Sequence, residues 1–377
     1  MEETSLKPNT PANPINIFLK GISKYWGSFA VLGVFILFPF VFGWITGSSP
    51  TLGPSKYWQG QLITFFILAV YAMSYDLLIG YTGILSFGHA AFYGGGAYTM
   101  AIFYKHIAPR WLESGNFHLA IGSINLTEAA LFIIAILLVC VVVILLGLLF
   151  TAVSARVKGV YFAMITLAIA DALYILSKAT DFVKWTGADE GLHGVPVPTW
   201  INPNTHRLQF YFIALGFAVL MYLILRRVVN SPTGRVMVAV RENESRVSMI
   251  GYNPAIYRSV AFLVSGLVAG LAGGLTALWN LGATPTMTSA LTTINALIIT
   301  ILGGVGTLVG PIIGAGIMQL ISQFFYEWFG ARWPLVFGLL YIVLVMFLPY
   351  GIVGTWRMKQ FDRKQGWKRF LNLFRTK

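Results

Sequence analysis

The chain has 377 residues, of which 57% are apolar, 15% aromatic and only 10% charged. Soluble globular proteins carry about a quarter charged residues, and a mean hydropathy of +0.74 points away from that class. The apolar content would fill about ten stretches of 20 residues, the length that crosses a bilayer core. A soluble enzyme, a disordered chain and a nucleic-acid binder are thereby excluded. The fold class expected is all-α, a polytopic membrane protein.

The first twenty residues are polar and proline-spotted, so no cleavable signal peptide is expected. Apolar runs then predict ten spans, at 27–46, 60–79, 84–104, 127–153, 160–176, 208–225, 259–281, 291–302, 308–325 and 333–352. The third is dense in glycine and small polar residues. The eighth and ninth are short and separated by the glycine run 303–310. Interrupted segments of this kind are broken or re-entrant helices, tolerated where they are buried in protein or line a cavity.

With ten spans, nineteen Lys and Arg residues fall on the side of the two termini and seven on the other. The asymmetry predicts that both termini are cytoplasmic. Basic loops facing the anionic leaflet of a lipid bilayer account for the net charge of +13 without nucleic acid. The organisation expected is a cytoplasmic tail over 1–26, a permease domain over 27–354 and a basic amphipathic tail over 355–377. The domain includes an external loop at 178–207 and a cytoplasmic loop at 229–257. In the last tail, Trp356, Phe361, Trp367, Phe370 and Phe374 interleave with bases, as in a segment lying along the interface.

Asp76 ends the second span, near the cytoplasmic side where water can reach it, and Asp171 lies two-thirds along the fifth. Intramembrane acids are costly, so each is either a structural hydrogen-bonding group or a proton relay on a translocation path. Residues 80–99 read GYTGILSFGHAAFYGGGAYT. Small residues there permit close helix packing, or a broken helix lining a solute path with Ser86 and His89 as its polar contributors. Residues 302–315, LGGVGTLVGPIIGA, echo this glycine density.

The cytoplasmic stretch 231–253, SPTGRVMVAVRENESRVSMIGYN, predicts a short helix with Val236, Val240, Val247 and Ile250 on one face. Gly251 stops it, and Glu242 and Arg246 are spaced to pair one turn apart. It either lies on lipid or plugs a groove on a partner. In the external loop, TGADEGLHGVP at 186–196 predicts a structured turn with Asp189 and Glu190 exposed to solvent or to an external partner.

No GxxxxGK[ST] phosphate loop, Cys/His metal spacing, HExxH or GxSxG occurs in the sequence. The five histidines are scattered, four of them in predicted external loops, and the single Cys140 sits within an apolar run. No cofactor, metal site or catalytic residue is expected.

Taken in order, GYTGILSFGHAAFYGGGAYT, TGADEGL, SPTGRVMVAVRENESR with IGYN, LGGVGTLVGP and LPYGIVG resemble LivM-type permease subunits of bacterial branched-chain amino acid ABC importers. The matching region runs from Gly80 to Gly354. The resemblance implies two cytoplasmic ATP-binding subunits, a second permease subunit that is a related but different chain, and an external solute-binding protein. It implies the bacterial inner membrane as location. It also makes 231–253 the ATPase-coupling segment, carried by Gly234, Arg235, Arg241, Glu242, Asn243 and Glu244. ATP-driven closure would push on that helix and switch access across the membrane.

The turn departs from the family's commoner Thr-Gly-Gly-Ser-Asp-Gly-Leu, with Ala188 for Gly, Asp189 for Ser and Glu190 for Asp. Permeases for urea and short amides share the family, so the substrate stays open at this stage. The alternatives of another class are an ion-coupled secondary transporter or channel using Asp76 or Asp171, and a membrane scaffold.

Overall fold

A computed structural model describes residues 14–47, 53–113, 120–121, 124–125, 127–157, 159–347 and 350–356. The expected interfacial tail from residue 357 onward, and His118, lie outside them. The chain separates into two compact units, residues 1–59 and 60–377.

In the first unit, α1 (Pro14–Ile45) runs through Pro39 without interruption and begins well before the expected Gly27. Pro39 keeps a use for its carbonyl, which accepts from the hydroxyl of Ser55 at 3.4 Å. Ser55 stands in the first turns of α2 (Gly53–Asp76). The outer face of α1 exposes Val31, Val34, Leu37 and Trp44, as a lipid-facing helix does.

The second unit holds the rest of α2, then α3 (His89–Ile102), α4 (Ala108–Glu113), α5 (Thr127–Arg156), α6 (Gly159–Lys178), α7 (Val183–Thr186) and α8 (Arg207–Asn230). There follow α9 (Pro232–Glu242), α10 (Glu244–Met249), α11 (Pro254–Trp279), α12 (Ala290–Gly303), α13 (Val309–Phe329) and α14 (Trp333–Phe347). Two small antiparallel ladders close loops: β1 (Ala120–Ile121) with β2 (Ile124–Asn125), and β3 (Leu192–His193) with β4 (Gly282–Ala283).

Among the described residues six helices are long and apolar enough to cross a membrane: Gly53–Tyr81, Thr127–Ser154, Gly159–Lys178, Arg207–Asn230, Pro254–Trp279 and Val309–Phe329. Four of the ten expected spans take other forms. The apolar part of α1, Ala30–Ile45, and α12 are shorter apolar helices. The fourteen residues of α3 and of α12 each rise about 21 Å, short of the ~30 Å core. The last, α14, ends at Phe347.

The third expected span is broken at its start. Helix α2 loosens into a π-helical turn at Leu77–Tyr81. Residues 83–86 run without regular structure, and helix resumes only at His89. Gly83 permits the change of direction, with φ of +68°.

This interrupted segment is the core. Helix α3 packs on α11, α5 and α12, and Ala90, Ala91, Phe92 and Ala97 are fully enclosed. Its glycine stripe has a direct geometric cause. A Cβ at Gly96 would overlap the carbonyl of Gly270, and one at Gly273 would overlap that of Tyr93. In lipid, where apolar surface gains little by leaving the solvent, such close backbone approach is a main source of helix association. Around it Tyr71, Phe92, Phe150 and Phe262 fill the remaining space.

Candidate functional site

The site begins with a carboxyl group that could not stand alone where it is. Asp76 ends α2 with no exposed surface, so the expected hydration of its side chain is not found. The N–H of Gly306 donates to its Oδ1 at 2.6 Å and that of Leu308 to its Oδ2 at 3.0 Å. A buried carboxyl needs donors of this kind. The loop supplies them because Gly304 and Gly306 have φ of +121° and +74°, and Leu308 adopts φ of +53° despite its side chain. A non-glycine residue held there costs about 1 kcal/mol or more. The two bonds to Asp76 keep the strained loop in place.

Arg241 of α9 completes the node. Its guanidinium donates to the carbonyl of Gly80, in the π-helical turn that ends α2. Gly80 in turn lies against Asp76 and Gly306, because a Cβ there would meet both. A Cβ on Gly83 would strike the Arg241 side chain at 2.6 Å. Arg241 of α9, the break after α2 and the loop between α12 and α13 are therefore one contact set. The two glycine-rich stretches singled out in the sequence meet here.

The break itself leaves backbone groups that must find partners inside the protein. The N–H of Phe87 donates to Thr166 of α6 at 3.1 Å, and that of Ala90 to Thr293 of α12 at 2.8 Å. Gly88 N–H reaches the hydroxyl of Ser86 at 3.3 Å. Sequence reading missed Thr166 and Thr293. The detectable signal was the pair Thr293 and Thr300, two turns apart on one face of a mostly apolar helix. Thr300 likewise donates to the carbonyl of Ala72, at 3.3 Å.

The helix expected over 231–253 differs from expectation in one respect. Asn243 divides it, ending α9 and capping α10 through a bond from Arg246 N–H to its side chain at 2.9 Å. The break carries Arg246 off the helical register, so Glu242 pairs with its neighbour Arg241 at 2.7 Å. The expected pair of Glu242 with Arg246 is absent, and Glu244 instead pairs with Arg258 of α11 at 2.5 Å. Ser231 caps α9 by accepting from Gly234 N–H at 3.2 Å. Met237, Val240 and Val247 are buried on the protein side, whereas Ile250 is exposed. Gly251 ends α10 with φ of +91°. Arg235, Glu242 and Asn243 stay exposed on the outer side, and Arg241 is partly exposed beside them.

The remaining candidates separate. Ser86 and His89 are both fully buried. His89 Nε2 bonds the hydroxyl of Ser74 at 2.8 Å, with its ring stacked on Tyr71. Both are packed, with no open surface for solute in this conformation. Asp171 is half-buried on α6. The structural hydrogen bond considered for it has no counterpart, because among the described residues it has no partner.

On the far side, Asp189 and Glu190 are exposed. The turn is rigid: Asp189 pairs with Lys178 at 2.9 Å, and His193 Nε2 donates to the carbonyl of Glu190 at 2.8 Å. The β3–β4 ladder ties it to the end of α11.

The described residues thus form an all-α polytopic membrane protein in which the charged helices α9 and α10 are seated on a broken span. Residues 59–348 match the family model for the permease component of branched-chain amino acid transport systems, and the chain belongs to that family. It is 24% identical over 315 residues to the high-affinity branched-chain amino acid transport permeases LivM of Salmonella typhimurium and of Escherichia coli. Each alignment covers 77% of this chain and 68% of the relative. A probable LivM permease of Methanocaldococcus jannaschii is 23% identical over 321 residues, 78% of this chain and 92% of the relative. No solved structure matches the chain. The chain is a permease subunit of an importer.

Proposed function

We propose that this permease carries branched-chain or related amino acids inward across a bacterial inner membrane. It works as one of two permease subunits, the second a related but different chain. Two cytoplasmic ATP-binding subunits drive it, and ATP is hydrolysed there. An external solute-binding protein delivers the substrate and meets the turn bearing Asp189 and Glu190. Both termini are cytoplasmic. Ten membrane segments make up the permease domain, with α3 and α12 as its broken members.

The observation that supports this reading best is the seat of Arg241. Helix α9 presents Arg235, Glu242 and Asn243 outward, and with Glu244 they form the surface offered to the ATP-binding subunits, whereas Gly234 is buried against the carbonyls of Val228 and Val229. From the same helix Arg241 reaches inward to Gly80. A push on α9 is thereby delivered to the end of α2 and, through Asp76, to the 304–308 loop. Few strong ligand contacts are required within the permease if the binding protein selects the substrate.

The test is Arg241→Ala in the whole importer, reconstituted in vesicles with ATP. Uptake of leucine is expected to fall on the order of tenfold, with the ATP-binding subunits still bound and still hydrolysing ATP. Unchanged uptake overturns the coupling role. Uptake by the chain alone, driven by a proton or sodium gradient, overturns the importer reading.

A further inference from the structure

The bonds of Asp76 fasten one end of α2 to the loop that leads into α13. A second set of bonds joins α2 to α13 itself, away from that node. Gln61 Nε2 donates to Gln323 Oε1 at 3.0 Å, and Gln319 Nε2 donates to Gln61 Oε1 at 2.5 Å. Gln323 Nε2 in turn donates to the carboxylate of Glu327 at 3.0 Å. Gln319, Gln323 and Glu327 recur every four residues and so share one face of α13.

The two sets of bonds are matched in spacing. Fifteen residues separate Asp76 from Gln61, and fifteen separate Leu308 from Gln323. Each interval is about 22 Å of helix, so α2 and α13 run antiparallel and are pinned twice in one register. Between the pins the helices touch, because a Cβ on Gly316 would meet the ring of Phe65 at 3.3 Å. The ladder also has a direction. A carboxylate only accepts, so Glu327 turns the Gln323 amide NH2 towards itself and leaves its carbonyl for Gln61. The same choice leaves the Gln61 carbonyl for Gln319. In lipid, where apolar contact between helices adds little, side-chain bonds of this kind hold two spans together.

We infer that Gln61, Gln319 and Gln323 are positioning residues for transport, a clamp that makes α2 and α13 move as one body. Arg241 grips the carbonyl of Gly80, at the pinned end of α2. A displacement delivered there could be lost if α2 slid along α13. With both pins in place it carries α13 along, from the Asp76 node as far as Gln61. This inference rests on the reading of the chain as a subunit of an ATP-driven importer and names the pair of spans that such a push moves.

The experiment uses the complete importer in vesicles with ATP and leucine-loaded binding protein. Gln61→Leu keeps the bulk of the side chain and removes both of its bonds. Leucine imported per ATP hydrolysed is expected to fall about fivefold or more, with the second permease and the ATP-binding subunits still co-purifying in normal ratio. Bonds that served stability alone would lower the thermal midpoint and leave that ratio unchanged in folded complexes, which overturns the clamp. The second measurement ties the helices covalently. Gln61→Cys and Gln323→Cys are placed in a Cys140→Ser chain and joined by a short bifunctional thiol reagent. The bridge is expected to bring leucine imported per ATP back to near the parent's, because helices that move together tolerate a tether.

Loss of uptake on cross-linking overturns the clamp, since it means that α2 slides past α13 in each cycle. Failure of the two cysteines to cross-link overturns the contact on which the clamp depends. Leucine uptake by the parent complex without ATP overturns the importer reading itself, whatever the clamp variants do.

Discussion

Arg241 and Asp76 grip two backbone turns that touch: Arg241 holds the carbonyl of Gly80, while Asp76 holds the amides of Gly306, which packs on Gly80, and of Leu308. One residue comes from α9 and the other from the membrane span α2. A displacement of α9 relative to α2 must strain or release both sets of bonds. That gives a physical route from α9 to the membrane spans.

Asp76→Asn tests the structural half of this node. One carboxyl oxygen becomes an amide NH2, which turns a donor toward the N–H of Gly306 or Leu308. A buried donor left without an acceptor costs about 2 kcal/mol. The thermal midpoint of the purified complex is expected to drop by several degrees, with ATP-driven uptake per folded complex reduced as well. An ion-coupling role predicts the reverse pattern, with stability unchanged and transport gradient-insensitive.

The α3–α11 seam leads to a sharper loss. Gly96→Val places a branched side chain against the backbone of Gly270, in contact with no flexible atom that could yield. Overpacking of rigid helices costs about 3 kcal/mol or more. Little folded protein is expected in the membrane fraction, measured by detergent-stable monodisperse material. Gly216→Val, on α8, has nothing within 4 Å of its Cβ position and is expected to be tolerated.

Much of this was legible in the sequence because membrane physics narrows the choices. Long apolar runs with basic flanks mark helices such as α5 and α11, whatever their partners. The broken character of 80–99 was legible too, because ten small residues in one predicted span fit no lipid-facing helix. What stayed hidden depends on tertiary contact. Asp76 was read as hydrated because distance from the end of a helix says nothing about a loop 230 residues away folding over it. Glu242 and Arg246 had the right spacing for a pair. Asn243, a better cap than helix interior, ended the helix between them. The threonines that satisfy the broken segment carry no local signal beyond their presence on apolar helices.

A single turn residue is expected to reveal what the family resemblance already marked. Ala188 stands where the family's commoner turn has Gly, and it adopts φ of +49°. Left-handed backbone costs an L-residue about 1 kcal/mol relative to glycine. Ala188→Gly is therefore expected to stabilise the external turn by up to that amount, less the entropy that glycine adds to the unfolded chain. Slower proteolysis of the 178–207 loop in intact vesicles would register the gain. Faster cleavage would mean that the lost Cβ contacts outweigh the relieved strain.

The same external region offers a titration. His106 packs at a tilt against Trp185 with ring centroids 5.2 Å apart. Burial, and then the charges of Lys105 and Arg110, hold its pKa below the ordinary histidine range, against a raising contribution from the Lys184 backbone. A lowered folded-state pKa means that the unfolded chain binds the proton first as pH falls. The contribution to stability is thus fully present above the ordinary histidine value of about 6.5 and is lost as pH falls through the folded-state value. Protonation places an imidazolium beside the indole and quenches it. The difference in emission between the parent and Trp185→Phe is expected to be flat near neutrality and to fall only in mildly acidic buffer. A midpoint at or above 6.5 would show that the ring is not desolvated.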